Sequence, residues 1–220
     1  MPRPTWTSFP ALSRLQGFAH RFTLRHPEID VNAERDVVVK RLWDWHHSQA
    51  AELGFSGDSL CIAEQVHGCR VAVVEGPQSA PAPGADGLIC NRPALVIGIY
   101  VADCCAVYLA DERTGAFGVV HSGKKGSEQN ITGHAIAEMQ RCFGSHPADL
   151  VVQLSPCIRP PAYEVDFAAM IRQQAIDAGV PPTQVHDTGE CTSSDLQRFY
   201  SYRMEKGRTG RMLALLGRPS

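Results

Sequence analysis

Apolar positions recur with a helical period across residues 33–53, where Val38, Leu42, Trp45 and Leu53 fall on roughly one face. Asn32 stands where an N-cap belongs and Gly54 where a helix stops, so a long amphipathic helix is predicted there. His46 and His47 lie on this helix and are expected to be exposed. Short apolar runs at 60–66 and 70–75 predict strands, and "EGPQSAPAPGAD", rich in Pro, Gly and Ala, reads as an ordered surface loop. "ALVIGIYVADCCAVYLAD" predicts two apolar strands around a polar break at Asp103. "DERTG" is a turn and "AFGVVH" the next strand. Ser127 is expected to cap a helix running to about Cys142. "DLVVQLSP" predicts a further buried strand, a second capped helix starts near Asp166 and stops at Gly179, and "RMLALLG" reads as a closing strand. By composition "RFYSYR", residues 198–203, is a packed strand. Strands and helices mix without strict βαβ alternation and no repeat interrupts them. The expected fold is a single α/β domain over residues 1–220, with mixed β-sheets flanked by helices.

Composition narrows the function classes. With 44% hydrophobic and 20% charged residues the chain can bury a substantial core. A formal net charge of −2 supplies no basic field for nucleic acid, and no apolar run approaches the ~18 residues a membrane span needs. The N-terminal segment lacks an apolar run followed by a small-residue cleavage site, so the cytoplasm is the expected location. Eight cysteines without a C-x-x-C pair point away from a structural zinc knuckle and a thioredoxin-like site. Most are expected to be buried free thiols. Nothing in the sequence fixes an oligomeric state.

Three places put a good metal ligand at the edge of an apolar strand: "EQVHG" supplies His67, "VADCC" supplies Cys104 or Cys105, and "VVHSG" supplies His121. Two imidazoles and a thiolate suit Zn²⁺, and three protein ligands leave a fourth tetrahedral position open. Adjacent strand residues face opposite sides, so one of the two cysteines can join such a site. The competing picture makes these turn histidines and core cysteines.

"EQVHG", "GADGLI", "VADCCAVYLAD", "GVVHSGKKG", "SPCIRPPAYEVD" and "CTSSDLQRFYSYRMEKGRTGRM" together resemble the YfiH-type laccase-domain family, in order and over most of the chain. That resemblance implies a layered sandwich fold and a metal triad of His67, Cys104 and His121, with Cys105 pointing into the core. It implies zinc-dependent purine nucleoside phosphorylase activity on a nucleoside and phosphate, with adenosine deaminase and methylthioadenosine phosphorylase activities at the same centre. Arg21, Lys124 and Lys125 are its candidates for substrate and anion binding. Arg21, Asp103 and Lys125 are the candidates for catalysis, with Asp103 as a general base or a ligand-orienting acid. Two departures stand out: Lys124 and Lys125 take the places of the family's aromatic residue and arginine in "HSGKKG", and the helix after "YEVD" lacks its Asn-Arg pair. The runner-up readings are a Cys–His thiol hydrolase or amidase acting on peptidoglycan precursors, with Cys104 as nucleophile and His121 as base, and a copper-dependent phenol oxidase. Nine histidines with no His-x-His pair, and no Met near the three motifs, argue against copper. Cys157, in "SPCIRP", falls in a substrate-side loop but is expected to be a buried thiol, and the resemblance makes the aromatic–basic "RFYSYR" segment an edge of core and pocket.

Overall fold

The long apolar runs are hydrophobic at every position because their strands are covered on both faces. The computed structural model describes residues 3–220. In chain order its elements are β1 (Trp6–Thr7), α1 (Pro10–Ser13), β2 (Ala19–Thr23), α2 (Arg35–Glu52), β3 (Leu60–Ile62), β4 (Val71–Val73), β5 (Gly87–Cys90) and β6 (Leu95–Val101). There follow β7 (Cys105–Asp111), β8 (Ala116–Ser122), α3 (Lys124–Glu128), α4 (Ile131–Phe143), β9 (Leu150–Leu154), α5 (Phe167–Asp177), β10 (Val185–Asp187) and β11 (Met212–Arg218). The strands form two mixed sheets, ordered β1-β2-β11-β6-β3 and β10-β9-β7-β8-β5-β4. This is the α/β architecture with mixed sheets and flanking helices that the sequence predicts.

Side-chain alternation sorts the strands into layers. Ile97 and Ile99 of β6 and Ala214 and Leu216 of β11 meet Tyr108 of β7 and Phe117 and Val119 of β8, forming the core between the sheets. The alternate residues point outward. Val96, Tyr100, Leu213 and Leu215 pack with Ala50 of α2, while Val107, Leu109 and Val152 pack with Ile136 and Met139 of α4 and Ile171 of α5. The order is therefore helix, sheet, sheet, helices. Each large side chain so buried contributes roughly 1.5–3 kcal/mol of transfer free energy.

Local chemistry moves several boundaries from their expected places. α2 begins at Arg35 with no side-chain cap, because Asn32 is taken up by Arg208, whose Nε donates to the Asn32 side chain at 2.9 Å. Its stop near Gly54, at φ 92°, matches the sequence reading. His46 is fully buried rather than exposed. It sits four residues after Leu42 and eight after Val38, on the apolar face, with its ring beside Trp45 and Tyr100. Ser127 does not cap a long helix: it is buried, paired with Ser122 Oγ at 2.9 Å inside the short α3. The cap of α4 is Asn130, left-handed at φ 57°, whose side chain accepts from Gly133 N. Asp166 caps α5 as expected, accepting from Ala169 N at 2.9 Å. β3 ends at Ile62, short of residue 66, because Gln65 and His67 both adopt positive φ. The 198–203 segment forms turns rather than a strand, with Phe199 and Tyr200 buried.

Candidate metal centre and its cavity

Chain crossings between the two sheets build the site. The loop from β3 to β4 leaves the first sheet for the second and carries His67. The turn from β6 to β7 makes the same crossing and carries Asp103 and Cys104, while His121 lies on β8 beside it. The ligand atoms of His67, Cys104 and His121 come within 4.8 Å of one another. Bonds of ~2.0–2.3 Å to one centre then need only small side-chain rotations. Cys105 begins β7 facing the other way, fully buried in the core under α4 and α5. The strand alternation thus selects Cys104 of the two adjacent cysteines.

Asp86 holds this cluster together. Its carboxylate is fully buried and accepts from the backbone N–H groups of Val66, His67 and Gly68 at 3.0, 2.9 and 2.8 Å. The same group lies 2.8 Å from His121 Nδ1. With Nδ1 engaged there, Nε2 is the ring nitrogen available to a metal, the usual carboxylate–histidine–metal arrangement. Burial alone would raise the Asp86 pKa, but the His121 hydrogen bond and the loop N–H groups hold it below the ordinary carboxylate value. Gln65 fixes the other end of the loop: its Nε2 donates to Tyr100 O at 2.6 Å and its Oε1 accepts from Tyr100 N at 2.8 Å. The amide so imitates a strand neighbour for the edge of β6. Neither residue is picked out by the sequence pattern. A lone acid in "GADGLI", directly before a buried strand, was the available signal for Asp86.

The electrostatics favour a thiolate. Burial pushes the Cys104 thiol up, but the His121 charge and hydrogen bonds from both histidines outweigh it and draw its pKa to about 6. Burial would depress His121, yet the Cys104 thiolate and Asp86 raise it to about 9. Gly123 gives the thiolate its space, because a Cβ there would stand 2.4 Å from Cys104 Sγ.

A cavity of about 830 Å³ opens over the cluster. His67, Cys104 and His121 line it together with Asp103, Lys124 and the rings of Tyr100, Tyr163, Phe167 and Tyr202. Asp103, at φ 80°, accepts from Thr192 Oγ1 at 2.6 Å and Arg203 N at 2.7 Å, so it draws two loops onto the cavity wall. Of the two lysines, Lys124 lines the cavity, whereas Lys125 lies on the exposed side of α3 outside the lining. Arg21 is also elsewhere. Its Nη1 donates to Gln49 and Glu52 of α2 at 2.8 and 2.6 Å, and its guanidinium lies 4.2 Å from the Trp6 ring centroid. On β2 it ties α2 to the sheet. Cys157 is fully buried in the core.

A family model described as "Multi-copper polyphenol oxidoreductase laccase" matches residues 44–168 and 165–219. A protein of Deinococcus radiodurans named purine nucleoside phosphorylase is 32% identical, covering 77% of this chain and 74% of its own. Purine nucleoside phosphorylase YlmD of Geobacillus stearothermophilus is 28% identical over 86% of this chain and 82% of its own. The crystal structure of YlmD from Geobacillus stearothermophilus superposes with a TM-score of 0.87 at 25% identity, covering 100% of this chain and 98% of that one. The Bacillus licheniformis hypothetical protein YfiH shares the fold, with a TM-score of 0.80 at 23% identity over 91% and 92% of the two chains. Among the described residues no helix is long and apolar enough to cross a membrane.

Proposed function

This chain belongs to the multi-copper polyphenol oxidoreductase laccase family, and on that premise we propose that it is a zinc-dependent purine nucleoside phosphorylase. The observation that carries the reading is the His67–Cys104–His121 cluster on the wall of a cavity that also presents aromatic rings and cations. Two imidazoles and a thiolate suit Zn²⁺, and the donor set leaves one position for substrate. Zinc bound there supplies a Lewis acid. The names of the relatives support the reaction class.

In phosphorolysis a phosphate oxygen forms a bond to C1′ of the ribose as the C1′–N9 bond breaks. The bonding pair passes to the purine, which takes up the proton carried by the phosphate. The cavity residues have definable parts in this. Tyr163 and Tyr202 offer ring faces to the purine, supplying the stacking surface that Lys124 lacks. Asp103 keeps acceptor capacity on each oxygen for a substrate hydroxyl or proton. Lys124 faces the substrate with a mobile point charge. Adenosine deamination, in which water replaces the amino group at C6, and methylthioadenosine phosphorolysis are further activities we assign to the same centre.

The test is metal analysis of purified protein alongside release of free base from inosine, adenosine and methylthioadenosine, with and without phosphate. One zinc per chain and phosphate-dependent base release are expected. Phenol oxidation confined to copper-loaded protein, with no nucleoside consumed, would overturn the reading. The Cys104–His121 pair favours one second reading, because a metal-free thiolate beside an imidazolium is a nucleophile for amide hydrolysis. Stoichiometric zinc on the active protein rules against it.

A further inference from the structure

Six cationic side chains line the cavity, and three of them answer to groups of the protein. Arg203 is paired with Glu164 at 2.6 Å, Arg208 with Glu34 at 3.6 Å, and Arg35 approaches Asp36 at 3.9 Å while donating to Glu64 O. Lys124 and Lys206 are exposed, where water solvates a charge. Arg211 is different. It is 8% exposed, lines the cavity, and has no carboxylate partner among the described residues. Its Nη1 donates to the carbonyls of Thr209 and Gly210 at 2.8 Å each, which fixes the guanidinium without neutralising it. Among the described residues its Nε and Nη2 have no hydrogen-bond acceptor, yet they are not among the sealed polar atoms that lack a partner. That edge of the fork therefore faces the cavity.

A guanidinium cannot shed its proton to escape burial, so an uncompensated one is costly unless something in the cavity compensates it. The strand register sets its place. Met212 pairs with Val101, so Arg211 stands one step further on, beside the turn that carries Asp103 and Cys104. We propose that Arg211 is the oxyanion anchor of this cavity, its free Nε/Nη2 edge taking inorganic phosphate in a two-pronged contact next to the metal cluster. The assignment rests on the phosphorolysis reading for its role in turnover, but the anion site itself does not. It moves the phosphate away from Lys125, which lies outside the cavity.

The experiment compares metal-loaded wild-type protein with Arg211→Gln and Arg211→Lys, measuring inorganic phosphate binding by calorimetry and the two KM values separately. Arg211→Gln is expected to weaken phosphate binding and raise the phosphate KM by about tenfold or more, with metal content and nucleoside KM unchanged. Arg211→Lys keeps a charge without the fork and should fall between. Should Arg211→Gln fail to fold, Arg211→Lys decides alone, and phosphate affinity equal to wild type in that folded variant overturns the assignment. So does a rise in nucleoside KM with phosphate affinity unchanged. Phosphate binding that depends on Arg211 in a protein releasing no base would overturn the phosphorolysis reading and uphold the anion site.

Discussion

Gly123 shapes the metal centre through the atom it lacks. Its backbone is ordinary, at φ −103°, so the requirement is space and not conformation. The Cβ of an alanine would lie 2.4 Å from Cys104 Sγ and 3.4 Å from its Cβ, and the sulfur must then rotate off its position among the ligands. Gly123→Ala is accordingly expected to fold with native helix content but to hold metal at least tenfold more weakly. Metal retained per chain against a graded chelator measures it, and retention equal to wild type would mean that Cys104 yields without cost. At this scale the sequence was legible where chemistry is carried by ligand-type side chains. His67, Cys104 and His121 could be named from residue type, strand position and resemblance, and they do converge. It was illegible where a residue acts through backbone atoms. Asp86 binds three loop N–H groups and an imidazole, and Gln65 pairs with the main chain of β6, contacts that exist only once the crossing loop is folded. Arg21 failed for the converse reason: a lone arginine near an expected anion site is indistinguishable in sequence from one that ties a helix to a sheet.

The long helix α2 illustrates what periodicity settles and what it leaves open. Its face and its stop at Gly54 follow from spacing, whereas its start does not, because the distant Arg208 competes for the capping side chain of Asn32. His46 lies on that apolar face, yet its polar type suggested exposure, and packing prevailed. Among the described residues neither ring nitrogen of His46 has a partner in hydrogen-bond geometry, and burial, followed by the neighbouring His47, draws its pKa to about 3 against an opposing contact with the Arg211 backbone. His20 on β2 is also drawn down by burial, to about 4, and its Nε2 accepts from Phe9 N at 2.7 Å, a bond that only the neutral ring can take. Both rings stay neutral in the folded chain while the unfolded chain protonates them near 6.5. Stability is then complete above pH 6.5 and is withdrawn as pH falls from there toward the folded values, by up to ~1.4 kcal/mol per pH unit for each ring. His46→Leu should remove one of these contributions. Urea unfolding of metal-loaded protein between pH 7.5 and 5 is expected to show a shallower decline. At pH 7.5 the variant should be as stable as wild type or more so, since two unpaired nitrogens are removed. A large loss at pH 7.5 with an unchanged slope would mean that a buried partner satisfies the imidazole.

Across the whole molecule, the metal cluster lies on the seam between the two sheets. β3 and β6 belong to the first sheet, β4, β7 and β8 to the second, and both ligand-bearing connections pass from one to the other. Metal bound by His67, Cys104 and His121 would therefore fasten two crossings that are otherwise held by the Asp86 and Gln65 contacts. The positive φ values of Gln65, His67 and Asp103 place uncommon backbone in these same crossings, strain that surrounding contacts must offset. A ligand that binds the folded chain alone stabilises it by RT ln(1 + [L]/Kd), about 4 kcal/mol at a thousandfold excess over Kd. For a chain near this length each kcal/mol moves the unfolding midpoint by roughly 2–4 °C. Removing the metal with a chelator is thus expected to lower Tm by about 10 °C, and re-addition to restore it. Amide exchange localises the effect. Protection should fall at residues 64–68 and 102–105 while Leu150 and Val151 of β9, paired with the far end of β7, keep theirs. An unchanged Tm in demonstrably metal-free protein would mean that the Asp86 and Gln65 contacts secure the seam without metal, and uniform deprotection would mean that the metal stabilises both sheets as one unit.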